Sequence, residues 1–256
     1  MNRRRETVRD GEGRSGSPSP VDLLAIAAHP DDVELTCGGT LARAAKQGHR
    51  TGIVDLTAGE MGTRGDRRTR EREAAAAAEV LGVSERLNAG LPDAHLHNTD
   101  DTRRVVIELL RRLRPRVVIL PFPVGRHPDH RIASELGRDA CYLAGLARYD
   151  AEGEPHRPDK IVYSLAYRED PIKPTFVVDI SAEFEAKLQA IHCFASQFDG
   201  AKAAGEIHPT SQQLYELIRT QNAHYGSLIR TQYGEPFMTY ETVRIDDVVT
   251  MGVQSI

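Results

Sequence analysis

The chain predicts an α/β fold: a Rossmann-like, mostly parallel sheet flanked by helices, forming a single domain with a C-terminal α+β extension. Three observations carry this expectation. Apolar runs alternate with longer amphipathic runs over the first two-thirds of the sequence, the pattern of successive βαβ units. Two apolar runs, residues 21–28 and 117–120, are each followed by a His-Pro-Asp turn. The length of 256 residues suits one continuous α/β domain.

The elements follow in order. Residues 23–28 read as a first strand, 39–47 as a helix, 51–56 as a second strand and 69–81 as an alanine-rich helix. A short strand is expected at 86–89. Residues 101–113 place Val105, Val106, Leu109, Leu110 and Leu113 on one helical stripe, which Pro115 ends. Residues 116–120 form the next strand and 132–146 the helix after it. In the last third, 160–166 and 175–179 read as strands separated by Pro171 and Pro174. Phe184, Leu188 and Ile191 then recur at helical spacing, 214–223 form another helix, and 240–245 form a closing strand. Residues 57–68 are too Gly-rich for a helix. A loop of that length in a compact domain is functional or disordered, and its place after a strand sets it beside the two turns.

Composition excludes several classes. A net charge of -4 and a pI near 6.2 argue against a nucleic-acid binder, which needs a basic balance. Cys37, Cys141 and Cys193 have no repeated spacing, which suits a reducing cytoplasm over a disulfide framework. No apolar stretch approaches the ~20 residues that span a bilayer, so no membrane partner is expected. Residues 1–20 begin with a basic cluster and continue Gly-, Ser- and Pro-rich without the apolar core of a secretory signal. They read as a disordered N-terminal extension to a domain over 21–256.

The chemistry lies in His29-Pro30-Asp31-Asp32 and His127-Pro128-Asp129-His130. If their strands share one sheet, both turns open at its carboxyl edge, where open α/β folds place their sites. His29, Asp32 and His130 offer two imidazoles and a carboxylate with a fourth position left open, as a catalytic zinc requires. Fe²⁺ or Co²⁺ suits the same donors. Asp31 is then the natural general base. His127, when protonated, stabilises an oxyanion, and Asp129 holds that imidazole charged and turned. Either His127 or Asp31 delivers the proton to a departing amine. A single His-Pro-Asp is ordinary turn chemistry, with Asp after Pro forming a turn or a helix cap. Two such turns at strand ends, with complementary donors, point to a metal-dependent hydrolase. The competing readings are a nucleotide-binding module and a non-catalytic metal-binding protein. Against the former, the first turn lacks glycines and its carboxylates would repel a pyrophosphate.

At these residues the chain resembles the PIG-L/LmbE family of zinc-dependent N-acetylglucosaminide deacetylases. The likeness extends through Gly38-Gly39-Thr40, Asp55-Leu56-Thr57, Gly59-Glu60, Gly62-Thr63-Arg64-Gly65, Arg70-x-x-Glu73-Ala74 and Leu91-Pro92-Asp93. It continues through Arg126-His127-Pro128-Asp129-His130, Phe176 to Ile180, Ser196-Gln197-Phe198 and His224 to Ile229. The second half, with Val33 after the Asp pair, is similar to the bacillithiol-biosynthesis branch, whose members deacetylate N-acetylglucosaminyl-malate. The resemblance implies the roles above, one zinc per subunit, a small acetamido-sugar substrate, and a homo-oligomer, either trimer or hexamer. It adds Arg70 and Asp93 as sugar or aglycone contacts, with Glu60 and Arg126 as further candidates. The planar fork of Arg70 suits the malate carboxylate, although Arg64, Arg67, Arg68 and Arg72 beside it read equally as a solvated face. Deacetylation of another acetamido sugar, chitobiose-like or a mycothiol precursor, is the alternative within the family.

Overall fold

The computed structural model describes residues 20–165, 172–200 and 211–253. The expected extension, apart from Pro20, lies outside these residues, as does Pro171. The strands are β1 (Leu23–Ala27), β2 (Thr51–Thr57), β3 (Glu85–Leu91), β4 (Val117–Pro121), β5 (Lys160–Ser164), β6 (Phe176–Asp179) and β7 (Gly234–Met238). The helices are α1 (Asp32–Thr36), α2 (Gly38–Lys46), α3 (Arg67–Leu81), α4 (Asp100–Leu113), α5 (Pro128–Leu143), α6 (Phe184–His192), α7 (Ala195–Phe198) and α8 (Ser211–Leu228).

The seven strands form one sheet in the order β3-β2-β1-β4-β5-β7-β6. The first five run parallel, and β7 is antiparallel to both β5 and β6. From β1 the chain winds outward through β2 and β3, then returns to β4 on the opposite side. The crevice at the carboxyl ends of β1 and β4 is therefore the switch point, where doubly wound sheets bind ligands. Pairing of Leu23 with Val117 and Ala25 with Ile119 makes both His turns leave the same edge.

Strand β2 is buried at every position, as a central parallel strand covered on both faces is. Along β1 the side chains alternate between faces. Leu24 and Ile26 join Val106, Ile107, Leu110 and Leu136 of α4 and α5, while Ala25 and Ala27 join Val33, Leu41 and Phe237. A third cluster packs α3 against the C-terminal helices through Leu81, Phe184, Leu188, Ile191 and Ile218. Local signals set the helix ends. Asp66 caps α3 by accepting from Thr69 N at 2.7 Å, and Thr99 and Thr102 form a reciprocal capping box on α4.

Two expectations are corrected. The single helix expected at 39–47 is preceded by a separate short one, α1, because the chain breaks at Cys37 with φ -144°. The closing strand is Gly234–Met238, not 240–245. Gly234 and Pro236 are poor local strand formers, yet β5 pairs only with Phe237 and Met238, so Pro236 sits where that ladder ends. Among the described residues, no helix is long and apolar enough to cross a membrane.

Candidate active site

The end of β1 is fastened to β2, since the Ala28 carbonyl accepts from both Thr57 N at 2.9 Å and Thr57 Oγ1 at 3.0 Å. The chain then turns through His29-Pro30-Asp31 into α1. Asp31 adopts φ 108°, a region that side-chain-bearing residues rarely enter and Asp tolerates better than most. Its carboxylate does not cap the helix. Asp32, the first residue of α1, accepts from His29 N at 2.9 Å. One of its oxygens lies 3.3 Å from His29 Nδ1, and the other lies 3.1 Å from His130 Nε2.

His130 is delivered by α5, which begins with Pro128 in its first turn and His127 as its cap. Donor atoms of His29, Asp32 and His130 thus lie within 4.8 Å of one another, and those of His29, His127 and Asp129 form a second, overlapping trio. The three rings stand 4.7–5.3 Å apart between centroids. The donor chemistry fits a divalent cation. Burial by itself would lower the His29 pKa, but Asp129, Asp32 and Asp93 hydrogen-bond to the ring and lift it to about 12. The surrounding carboxylates call for positive charge at this point, which a cation held by imidazole and carboxylate provides.

Asp31 is set apart from that trio. Burial raises its carboxyl to about 7, Arg70 works against the rise, and the charge on Asp32 adds to it. Arg70, on α3 and only 4% exposed, donates Nη2 to Asp31 Oδ2 at 2.9 Å and to the Pro30 carbonyl. Its Nη1 donates to the Gly59 carbonyl at 3.0 Å. The carboxylate that Arg70 grips in this structure is internal, where the sequence suggested a substrate's. Gly59 has φ 66°, and a Cβ there would lie 2.0 Å from Arg70 Nη1, so only glycine fits.

Asp93 and Glu60, expected as sugar contacts, are also bonded within the protein. Asp93 Oδ1 lies 3.0 Å from His29 Nε2, its Oδ2 accepts from Met61 N at 2.9 Å, and its own N–H reaches Glu60 Oε1 at 2.9 Å. Arg126 is exposed one residue before His127. The Asp129 carboxylate, expected to hold the His127 imidazole, lies in one donor trio with it and has further partners. That carboxylate accepts from Ala94 N at 2.8 Å and lies 3.4 Å from His29 Nε2. His127 Nδ1 accepts the backbone N–H of Asp129 at 3.2 Å. Burial and the neighbouring charges of His130 and His29 lower the His127 pKa, which favours the neutral ring over the imidazolium the sequence suggested.

Two buried ionic groups behind the turn escaped the sequence reading. Arg86 bridges Glu34 on α1 to Asp55 on β2. Lys187 and Glu235, both wholly buried, pair at 2.6 Å. Lys187 also donates to the Leu35 carbonyl at 2.8 Å, while Glu235 accepts from Gly39 N and Thr40 N at 3.0 and 2.7 Å. Together they cap the end of α1 and the start of α2. One signal was available: Lys187 falls on the apolar stripe of Phe184, Leu188 and Ile191, where a charge needs a partner.

With this geometry, likeness to known proteins becomes informative. The family profile PIG-L, GlcNAc-PI de-N-acetylase, matches residues 24–141, the stretch carrying both His turns. The conserved protein TT1542 from Thermus thermophilus superposes with a TM-score of 0.80 at 39% identity, covering 88% of this chain and 98% of that one. Diacetylchitobiose deacetylase of Thermococcus kodakarensis is 29% identical over 232 residues, 83% of this chain and 80% of that protein. The 1D-myo-inositol 2-acetamido-2-deoxy-alpha-D-glucopyranoside deacetylase 1 of Saccharopolyspora erythraea is 30% identical over 251 residues, 70% of this chain and 78% of that protein. An Asp-Asp turn facing two histidines at the switch point of the sheet, together with these likenesses, leads to one conclusion: the chain belongs to the PIG-L family of de-N-acetylases.

Proposed function

We propose that this chain hydrolyses the acetamide of an N-acetylglucosaminide, releasing acetate and the free amine, with N-acetylglucosaminyl-L-malate of bacillithiol biosynthesis as its substrate. The observation that carries the reading is the meeting of His29, Asp32 and His130 within 4.8 Å, with Asp31 held beside them by Arg70. Relatives named as deacetylases of diacetylchitobiose and of an acetamido-glucopyranosyl inositol support the sugar. The similarity of the second half to the bacillithiol branch supports malate.

His29, Asp32 and His130 would hold one zinc per subunit, with Fe²⁺ or Co²⁺ suiting the same donors. A bound divalent cation supplies Lewis acidity and draws the pKa of water from 15.7 toward about 7. Asp31, with a carboxyl that burial lifts to about 7, takes the proton of the attacking water near neutral pH, where a general base works best. The His127 ring accepts at Nδ1, so its hydrogen is on Nε2, and this neutral N–H donates to the developing oxyanion. A neutral His127 has no spare proton for the leaving amine, and that delivery falls to Asp31. An anionic aglycone is met by Arg70 or by Arg126, one residue before His127. We further propose a homo-oligomer, trimer or hexamer, in the reducing cytoplasm, which three free cysteines support.

The test is metal analysis of the purified protein combined with amine release from N-acetylglucosaminyl-malate, N-acetylglucosaminyl-inositol and diacetylchitobiose. Turnover should be highest on the malate conjugate, vanish with chelator and return with zinc. Equal kcat/KM on all three would remove the malate assignment, and no amine from any would remove the activity.

A further inference from the structure

Beyond the assigned roles of the two turns, we propose that Asp93 is a positioning residue that presents His29 Nδ1 to the cation and latches the loop between β2 and α3 to that same ligand. The inference rests on the metal-holding role of His29 stated above.

Asp93 serves two sides at once. Its Oδ1 lies 3.0 Å from His29 Nε2, nearer than Asp129 Oδ2 at 3.4 Å. Its Oδ2 accepts the Met61 N–H at 2.9 Å, and its own N–H returns to Glu60 Oε1 at 2.9 Å, so the loop and the Asp93 turn hold each other reciprocally. The next residue, Ala94, has φ 59°, an uncommon backbone state for alanine. That state aims the Ala94 N–H at both carboxylates flanking the ring, 2.8 Å from Asp93 Oδ1 and 2.8 Å from Asp129 Oδ2. With Nε2 donating to Asp93, the ring shows its other nitrogen to Asp32, 3.3 Å away. A ligating histidine is commonly oriented in this way, donating its second N–H to a carboxylate. Asp93 is 6% exposed, which leaves little of it to touch a sugar. Asparagine cannot replace it, since its one acceptor oxygen would have to abandon either His29 or Met61.

The variant Asp93→Asn separates this role from sugar binding. Zinc affinity is measured by competition with a chromophoric chelator, and kcat and KM are measured at saturating zinc. Zinc affinity should weaken by about 10–100-fold, with KM at saturating zinc staying within about threefold of wild type. Unchanged zinc affinity with a raised KM would make Asp93 a substrate contact and overturn the proposal. Should the variant not fold, imidazole ¹⁵N spectra of the wild-type protein decide. On zinc addition His29 Nε2 should keep its proton and Nδ1 should take the metal-bound shift, whereas metal at Nε2 overturns the proposal. Neither zinc affinity nor the spectra depend on turnover, so an inactive protein would refute the deacetylase reading without touching this one.

Discussion

Arg70 Nη2 lies 2.9 Å from Asp31 Oδ2, and the two side chains exert opposite pulls on the same proton. Burial makes the Asp31 carboxylate costly and raises it to about 7, while the guanidinium favours the charged form. The base is thereby held near the pH at which it must both accept and return a proton.

The pH profile follows in sign. A carboxylate base loses activity as it protonates, so kcat/KM should fall on the acid side of about pH 7. Arg70→Met removes the opposing charge and should move that acid limb to higher pH. Rates measured from about pH 5 to 9 check this, and a limb that stays put or moves down would show that Arg70 does not tune Asp31.

Gly59 controls Arg70 in turn. With φ 66° and a Cβ that would sit 2.0 Å from Arg70 Nη1, Gly59→Ala must displace the guanidinium. Activity should drop toward that of Arg70→Met, with a stability loss of about 1 kcal/mol or more by denaturant unfolding. Wild-type turnover in Gly59→Ala would mean that the Arg70 contact is dispensable.

Asp31→Asn keeps a residue that tolerates the φ of 108°. It should fold and bind zinc as wild type does while losing turnover by about 10²–10⁴-fold. Asp31→Ala adds backbone strain of about 1 kcal/mol, visible as a lower unfolding midpoint. Near-normal turnover in Asp31→Asn would exclude Asp31 as the base.

The pair of Lys187 and Glu235 is wholly buried. Lys187→Met leaves a carboxylate without its counter-charge and should cost about 3–5 kcal/mol. Lys187→Met combined with Glu235→Gln removes the stranded charge while keeping an acceptor for Gly39 or Thr40, and should recover part of that loss. Chemical denaturation of the three proteins provides the comparison. A single variant as stable as wild type would show that the pair contributes nothing to holding α1 and α2.

The α/β class, the two apolar strands and the His-Pro-Asp turns that follow them were legible from local pattern. These features are local: a strand buried on both faces must be apolar throughout, and proline after histidine stiffens the turn wherever the chain goes. The helical stripe through Val106, Leu110 and Leu113 was legible for the same reason, since all three are buried together. Which partner each polar side chain takes emerged from long-range packing, as did the last strand. Arg70 turned inward to Asp31, Asp93 and Asp129 turned to His29, and burial disfavoured a charged His127. That last strand is Gly234–Met238, against local preference. Hydrogen-bond partners and strand pairing join residues far apart in the chain, and local propensity holds no information about which distant group will meet a buried charge.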